Sequence, residues 1–161
     1  MRRQASIFVT LIFATLLLQA CNQQEDTAAK VQADVAKAQA DGQKQIIDAQ
    51  AKLDQVVAQN NKDLVGVKAD AQQDAANSPG TVAPAVDADI AKARNDAQIK
   101  VADAQYDVDK AKAAAAEQVA EARCGALVGD PKKACMSSAK ASYESATAMA
   151  KAKNDAAHAA H

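Results

Sequence analysis

The chain has 161 residues, a mass of 16.7 kDa and a formal net charge of −1, with 49% of its residues hydrophobic, 2% aromatic and no Trp. Most of the apolar share is alanine, which gives up too little surface on burial to fill a broad core. A deep substrate pocket is thereby excluded, and the scarcity of large apolar residues makes disorder a competing outcome.

Residues 1–20 have the make-up of a secretory signal peptide: Arg2 and Arg3, then an apolar run from Ile7 to Leu18 too short for a stable membrane span. The run ends in Leu18-Gln19-Ala20-Cys21, which resembles the lipobox of bacterial lipoproteins. The resemblance implies cleavage before Cys21, a lipid on its thiol and usually an acyl group on the new amine. Each buried CH₂ contributes about 0.8 kcal/mol, so two or three acyl chains would hold the protein to a bilayer almost permanently. Asn22 follows where enteric-type lipoproteins retained in the inner membrane carry Asp, and the resemblance therefore implies the outer membrane, facing the periplasm. Residues 21–27 are expected to be the lipidated cysteine and a short polar tether.

The remainder contains an internal duplication. At an offset of 55, residues 31–58 match residues 86–113 at 13 of 28 positions, including Asp34/Asp89, Lys37/Lys92, Asp41/Asp96, Gln50/Gln105 and Asp54/Asp109. An apolar or small-residue stripe runs through the first copy at Val31, Val35, Ala38, Gly42, Ile46, Ala49, Leu53, Val56, Asn60, Leu64, Val67 and Ala71. The second copy repeats its steps at Val86, Ile90, Ala93, Ala97, Val101, Ala104, Val108, Ala111, Ala115, Val119, Ala122 and Ala126. The offset is five elevens, and an eleven-residue pattern suits a nearly straight or slightly right-handed helix.

Alanine, Lys, Gln and Asp fill the other positions, so both copies are expected to be long helices, over 28–76 and 85–123. Two prolines and a glycine within 77–84 form the linker between them. It lets the second helix fold back antiparallel on the first or stay apart from it, and leaves open whether the two pair within one chain or between two copies. The stripes favour pairing, because a lone amphipathic helix leaves its apolar face wet.

Residues 124–135 form a turn bounded by Cys124 and Cys135, and a third helix is expected over 131–157 with a tail at 158–161. Gly125 or Gly129 suits a left-handed closure of the incoming helix, Asp130 an N-cap and Pro131 the first helical position. An oxidising compartment with two cysteines left after lipidation makes a Cys124–Cys135 disulfide the natural pairing. Its rivals are a redox pair, for which ten intervening residues are too many, and a zinc site with His158 and His161, whose spacing fits no common finger. The string Cys124…Leu127-x-Gly129-Asp130-x-Lys132-x-x-Cys135…Ala139-Lys140-Ala141-x-Tyr143 resembles a module of small uncharacterised envelope proteins of proteobacteria, and this implies no activity.

His158 and His161 otherwise read as solvated tail residues. Asp34, Asp41, Asp48 and Asp54 read as a solvated face paired with Lys37, Lys44 and Lys52, since acid–base work needs a desolvated cleft. Residues 131–161 carry five Lys against Glu144 and Asp155, whereas 21–130 hold 12 basic and 18 acidic residues. Either the third helix docks on the acidic second one, or its cations meet anionic wall or lipid groups. No catalytic residue, metal site, cofactor or nucleic-acid partner is expected.

The expected fold is all-α: an antiparallel, coiled-coil-like array of long alanine-rich helices ending in a disulfide-closed αα-hairpin. The expected function is a non-enzymatic, lipid-anchored spacer, scaffold or interaction module of the periplasm. Braun-type lipoproteins, which the chain resembles in anchor and helicity, join peptidoglycan through a C-terminal Lys. Here His161 stands in that place, so contact with the wall or with envelope proteins is expected to be non-covalent. The alternative is a stress protectant resembling late-embryogenesis-abundant proteins, disordered until dried or bound to membrane.

Overall fold

The structure is a computed structural model that describes the backbone of residues 5–77 and 83–160 and the side chains of 27–77 and 86–160. Among the described residues there are three helices and no strand: α1 (Ala5–Asn77), α2 (Ala83–Cys124) and α3 (Gly129–Ala159). At 1.5 Å per residue, the 73, 42 and 31 residues give helices of roughly 110, 63 and 46 Å. Backbone helix continues without a break through 21–27. Of the linker at 77–84, residues 78–82 lie outside the described residues.

α1 and α2 are antiparallel. Gly42 opposes Ala115 and Asn60 meets Ala97, so an advance of 18 residues on α1 is matched by a retreat of 18 on α2. All twelve stripe positions of the first copy are the ones shielded from solvent on α1, and its other described side chains are exposed. Eleven of the twelve in the second copy are shielded on α2. Ala126 is the exception: α2 ends at Cys124, so Ala126 falls in the turn and is exposed. Leu53, Ala104 and Val108 form the buried cluster, with Ala49, Val56 and Val101 against it. A Cβ at Gly42 would lie 2.6 Å from that of Ala115, so the two backbones come this close only because residue 42 has no side chain.

Among the described residues α3 packs on α2 and not on α1. Ala113 and Ala120 line a groove with Ala139, Tyr143 and Ala146 of α3. Ala113 stands nine residues beyond Ala104, two and a half turns, which places it on the side of α2 opposite the α1 contact. The three helices therefore lie side by side in one layer with α2 in the middle. The accessible surface of 11768 Å² is half again as large as the roughly 7,600 Å² of a globular protein of 16.7 kDa. Among the described residues only short side chains, Leu53 and Val108 chief among the larger ones, are buried, so they form no thick interior.

Candidate functional site

The end of the layer nearest Cys21 holds the densest set of distinctive residues. α2 closes with the Gly125 amide donating to the Glu121 and Ala122 carbonyls and the Ala126 and Leu127 amides to Arg123 and Cys124, at 3.0–3.2 Å. These three- and four-residue bonds tighten the last turn and satisfy its carbonyls. The left-handed residue is Gly129, with φ of 67°, and it opens α3 rather than closing α2. Val128 occupies the N-cap without a side-chain hydrogen bond. Asp130, expected as the cap, lies instead in the first helical turn, where its carboxylate favours the helix dipole and meets Lys133 at 3.2 Å.

Cys124 and Cys135 form a disulfide with their Cα atoms 5.7 Å apart. Cys124 is fully buried. The bond fixes the turn between two helices that otherwise meet through alanines, and closing a loop of this length contributes about 3 kcal/mol in the chain-entropy picture. Outside it, Leu127 and Val128 point into solvent. A Cβ at Gly125 would lie 4.0 Å from Val31 Cγ2, so the turn rests on α1 ten residues after Cys21. A shallow groove of about 430 Å³ there is lined by Thr27, Lys30, Val31, Asp34, Gly125 and Lys132. Cys21, expected from the sequence to be lipidated, is on helical backbone, and its side chain lies outside the described residues.

At the other end of α3, Asp103 Oδ1 accepts a hydrogen bond from Asn154 Nδ2 at 3.0 Å and pairs with His158 Nε2 at 2.7 Å. The His158 bond, helped by Asn154, holds the Asp103 carboxyl below its ordinary range. His158 is solvent-exposed, as expected, yet it also contacts α2, a partner that charge spacing could not supply because it is 55 residues away. His161 lies outside the described residues. The α3 lysines do not bridge to α2: Lys133, Lys140 and Lys151 pair within α3, and the His158–Asp103 contact, an ion pair only when the imidazole is protonated, is the one between charged or titratable side chains of different helices among the described residues.

The described carboxylates of α1, Asp34, Asp41, Asp48 and Asp54 among them, are exposed, as expected, but Lys37, Lys44 and Lys52 reach none of them within ion-pair distance. Gln50 instead donates to Asp54, and its repeat partner Gln105 donates to Asp109. Solvated pairs contribute only a few tenths of a kcal/mol, so either arrangement is nearly equivalent in energy. Lys92 does meet Asp96 at 2.7 Å, and their bond raises the amine and lowers the carboxyl. Lys151 is raised in the same way by Asp155. These shifts belong to exposed neighbours on one helix face, which is the arrangement of a solvated surface and not of a cleft.

The remaining grooves are open. One of about 470 Å³ between α2 and α3 is lined chiefly by alanine with Glu117 and Tyr143, and one of about 300 Å³ between α1 and α2 includes Asn60, Asn61 and Arg94. Among the described residues no cluster of three His, Cys, Asp or Glu could hold a metal ion, and no helix is long and apolar enough to cross a membrane. Compared with known families, curated proteins and solved structures, the chain matches none.

Proposed function

We propose that the protein is a non-enzymatic, lipid-anchored spacer or scaffold of the cell envelope, tethered through Cys21 to the outer membrane and extending into the periplasm. The observation that carries this reading is the Leu18-Gln19-Ala20-Cys21 sequence at the end of an apolar run. The fold is suited to the role. A single helix joins Cys21 to Asn77, a span of roughly 84 Å, and α2 and α3 stiffen it without enclosing a pocket. Non-covalent contact with peptidoglycan or another envelope protein would use the two broad open faces of the layer.

The test is labelling of growing cells with radioactive palmitate, comparing the wild-type chain with Cys21→Ser. The expected result is label in the wild type and none in the variant, which leaves the membrane fraction. Label retained in the variant overturns the reading. Far-UV circular dichroism of the purified mature-length chain separates the protectant alternative: strong helicity in dilute buffer supports the scaffold, and helicity gained only with lipid or drying supports the protectant.

A further inference from the structure

The α2–α3 turn leaves Val128 83% and Leu127 38% exposed, two adjacent aliphatic side chains with no element over them. Flexible tips avoid such a pair, but here the disulfide immediately behind it holds the turn to one shape. Lys132 and Lys133 follow within a turn, and Lys30 lines the adjoining groove. Among the described residues the carboxylates at this end are Asp130, engaged by Lys133, Asp34 and Glu121, with Arg123 a further cation, and Glu25 and Asp26 follow Cys21 in sequence. An apolar tip with Lys132 beside it, at the end of the layer nearest Cys21, matches the bilayer interface, where aliphatic groups enter the headgroup boundary and ammonium groups meet anionic lipid.

Position selects that occupant. The turn rests against Val31, ten residues or roughly 15 Å of helix from Cys21, whereas the opposite end of the layer lies several times farther away. We propose that the Leu127-Val128 tip is a second membrane contact that docks on an anionic bilayer beside the lipid anchor and sets the angle of the rod. This rests on the anchored reading of Cys21. Two aliphatic side chains bind a bilayer only weakly on their own, because the apolar area they bury is small. An anchor at Cys21 keeps the tip close to the bilayer surface, which favours a contact too weak to form from free solution.

The experiment separates the two claims by supplying the tether chemically. With Cys124 and Cys135 joined, Cys21 is the one free thiol of the mature chain, and it can be coupled to a maleimide lipid in vesicles whether or not cells acylate it. The chain has no Trp, so Val128→Trp gives a single reporter, and Val65→Trp, 67% exposed and 34 residues along α1 from Val31, serves as the distant control. In vesicles of equal parts phosphatidylglycerol and brominated phosphatidylcholine, emission at 128 should shift to the blue and be quenched several-fold more than at 65. Lys132→Glu with Lys133→Glu, or neutral vesicles, should remove most of that difference. Aqueous, unquenched emission at 128 overturns the proposal, as does equal quenching at both positions, which means the rod lies flat. A blue shift without quenching also overturns it, showing that the tip docks on a second copy of the chain.

Discussion

Asn60 donates from Nδ2 to the main-chain carbonyl of Ala97 at 2.9 Å, and Ala97 occupies in the second copy the place of Gly42 in the first. The relation also holds in reverse: Ala115, which opposes Gly42, is the counterpart of Asn60. The two contacts are thus related by a pseudo-two-fold axis through the Leu53–Val108 cluster, whose members are themselves counterparts. This is the geometry of one helix paired antiparallel with its own copy, written into a single chain. The copies have diverged at these positions: close approach of small residues on one side of the axis, a buried amide on the other.

Gly42→Ala should therefore destabilise the protein although alanine favours helix. The propensity gain of about 1 kcal/mol is opposed by a Cβ placed 2.6 Å from Ala115 Cβ, and overpacking of this kind costs about 1–3 kcal/mol. Adding Ala115→Gly should restore part of the loss. Gly66→Ala is the matched control: nothing lies within 4 Å of a Cβ there, so the melting temperature should rise. Thermal melts of the three variants and the wild type decide it, and a stabilising Gly42→Ala would show that the helices do not approach this closely.

Asn60 is only 5% exposed within an otherwise apolar stripe. Asn60→Ala should cost about 0.5–1.5 kcal/mol, because the amide bond is lost while the Ala97 carbonyl keeps its helical donor. Asn60→Leu should be as stable as the wild type or more so, yet lose uniqueness, since a buried amide fixes register at a cost in stability. Amide NMR spectra test this: one set of peaks is expected for the wild type and added sets for Asn60→Leu. A single sharp set in both would mean that the steric match of the stripes fixes the register unaided.

How much of this was legible in the sequence depended on contrast between residue types. On α1 the stripe of Val, Ile and Leu is surrounded by Lys, Asp and Gln, and its twelve positions emerge from spacing alone. α2 carries a second buried face at Ala113 and Cys124, and alanine there is no different from the exposed alanines beside it, so periodicity is silent. The α3 contact was accordingly expected from net charge, whereas the lysines pair within α3 and the helices meet through alanine, the disulfide and His158. Asn60 and Gly42 were visible as members of the stripe. Their departure from apolar character was the available sign of the amide bond and the close approach.

Reduction should free α3 before it affects the α1–α2 pair. Cys135→Ser removes a loop closure that contributes about 3 kcal/mol and leaves the buried Cys124 thiol unpartnered. Hydrogen exchange should show protection falling across 129–159 and persisting near Leu53 and Val108. Uniform loss over all three helices would mean that the layer unfolds as one cooperative unit.

Acid should loosen the other end of α3. The Asp103 carboxyl is held below its ordinary value of 3.8 by His158 and Asn154, so the folded state binds its proton less readily than the unfolded chain. Its contribution is complete above the ordinary carboxylate range and is lost as pH falls through that range towards the lowered folded value. Both side chains of the pair are about half exposed, which keeps the contribution below about 1 kcal/mol. Asp103→Asn should remove this part of the pH dependence while other carboxylates continue to titrate. The comparison is hydrogen exchange at 150–159 in the two proteins between neutral pH and about pH 3. Protection in the wild type should fall towards that of the variant as the acid limit is approached, and parallel profiles at every pH would show that the Asp103–His158 contact does not hold α3.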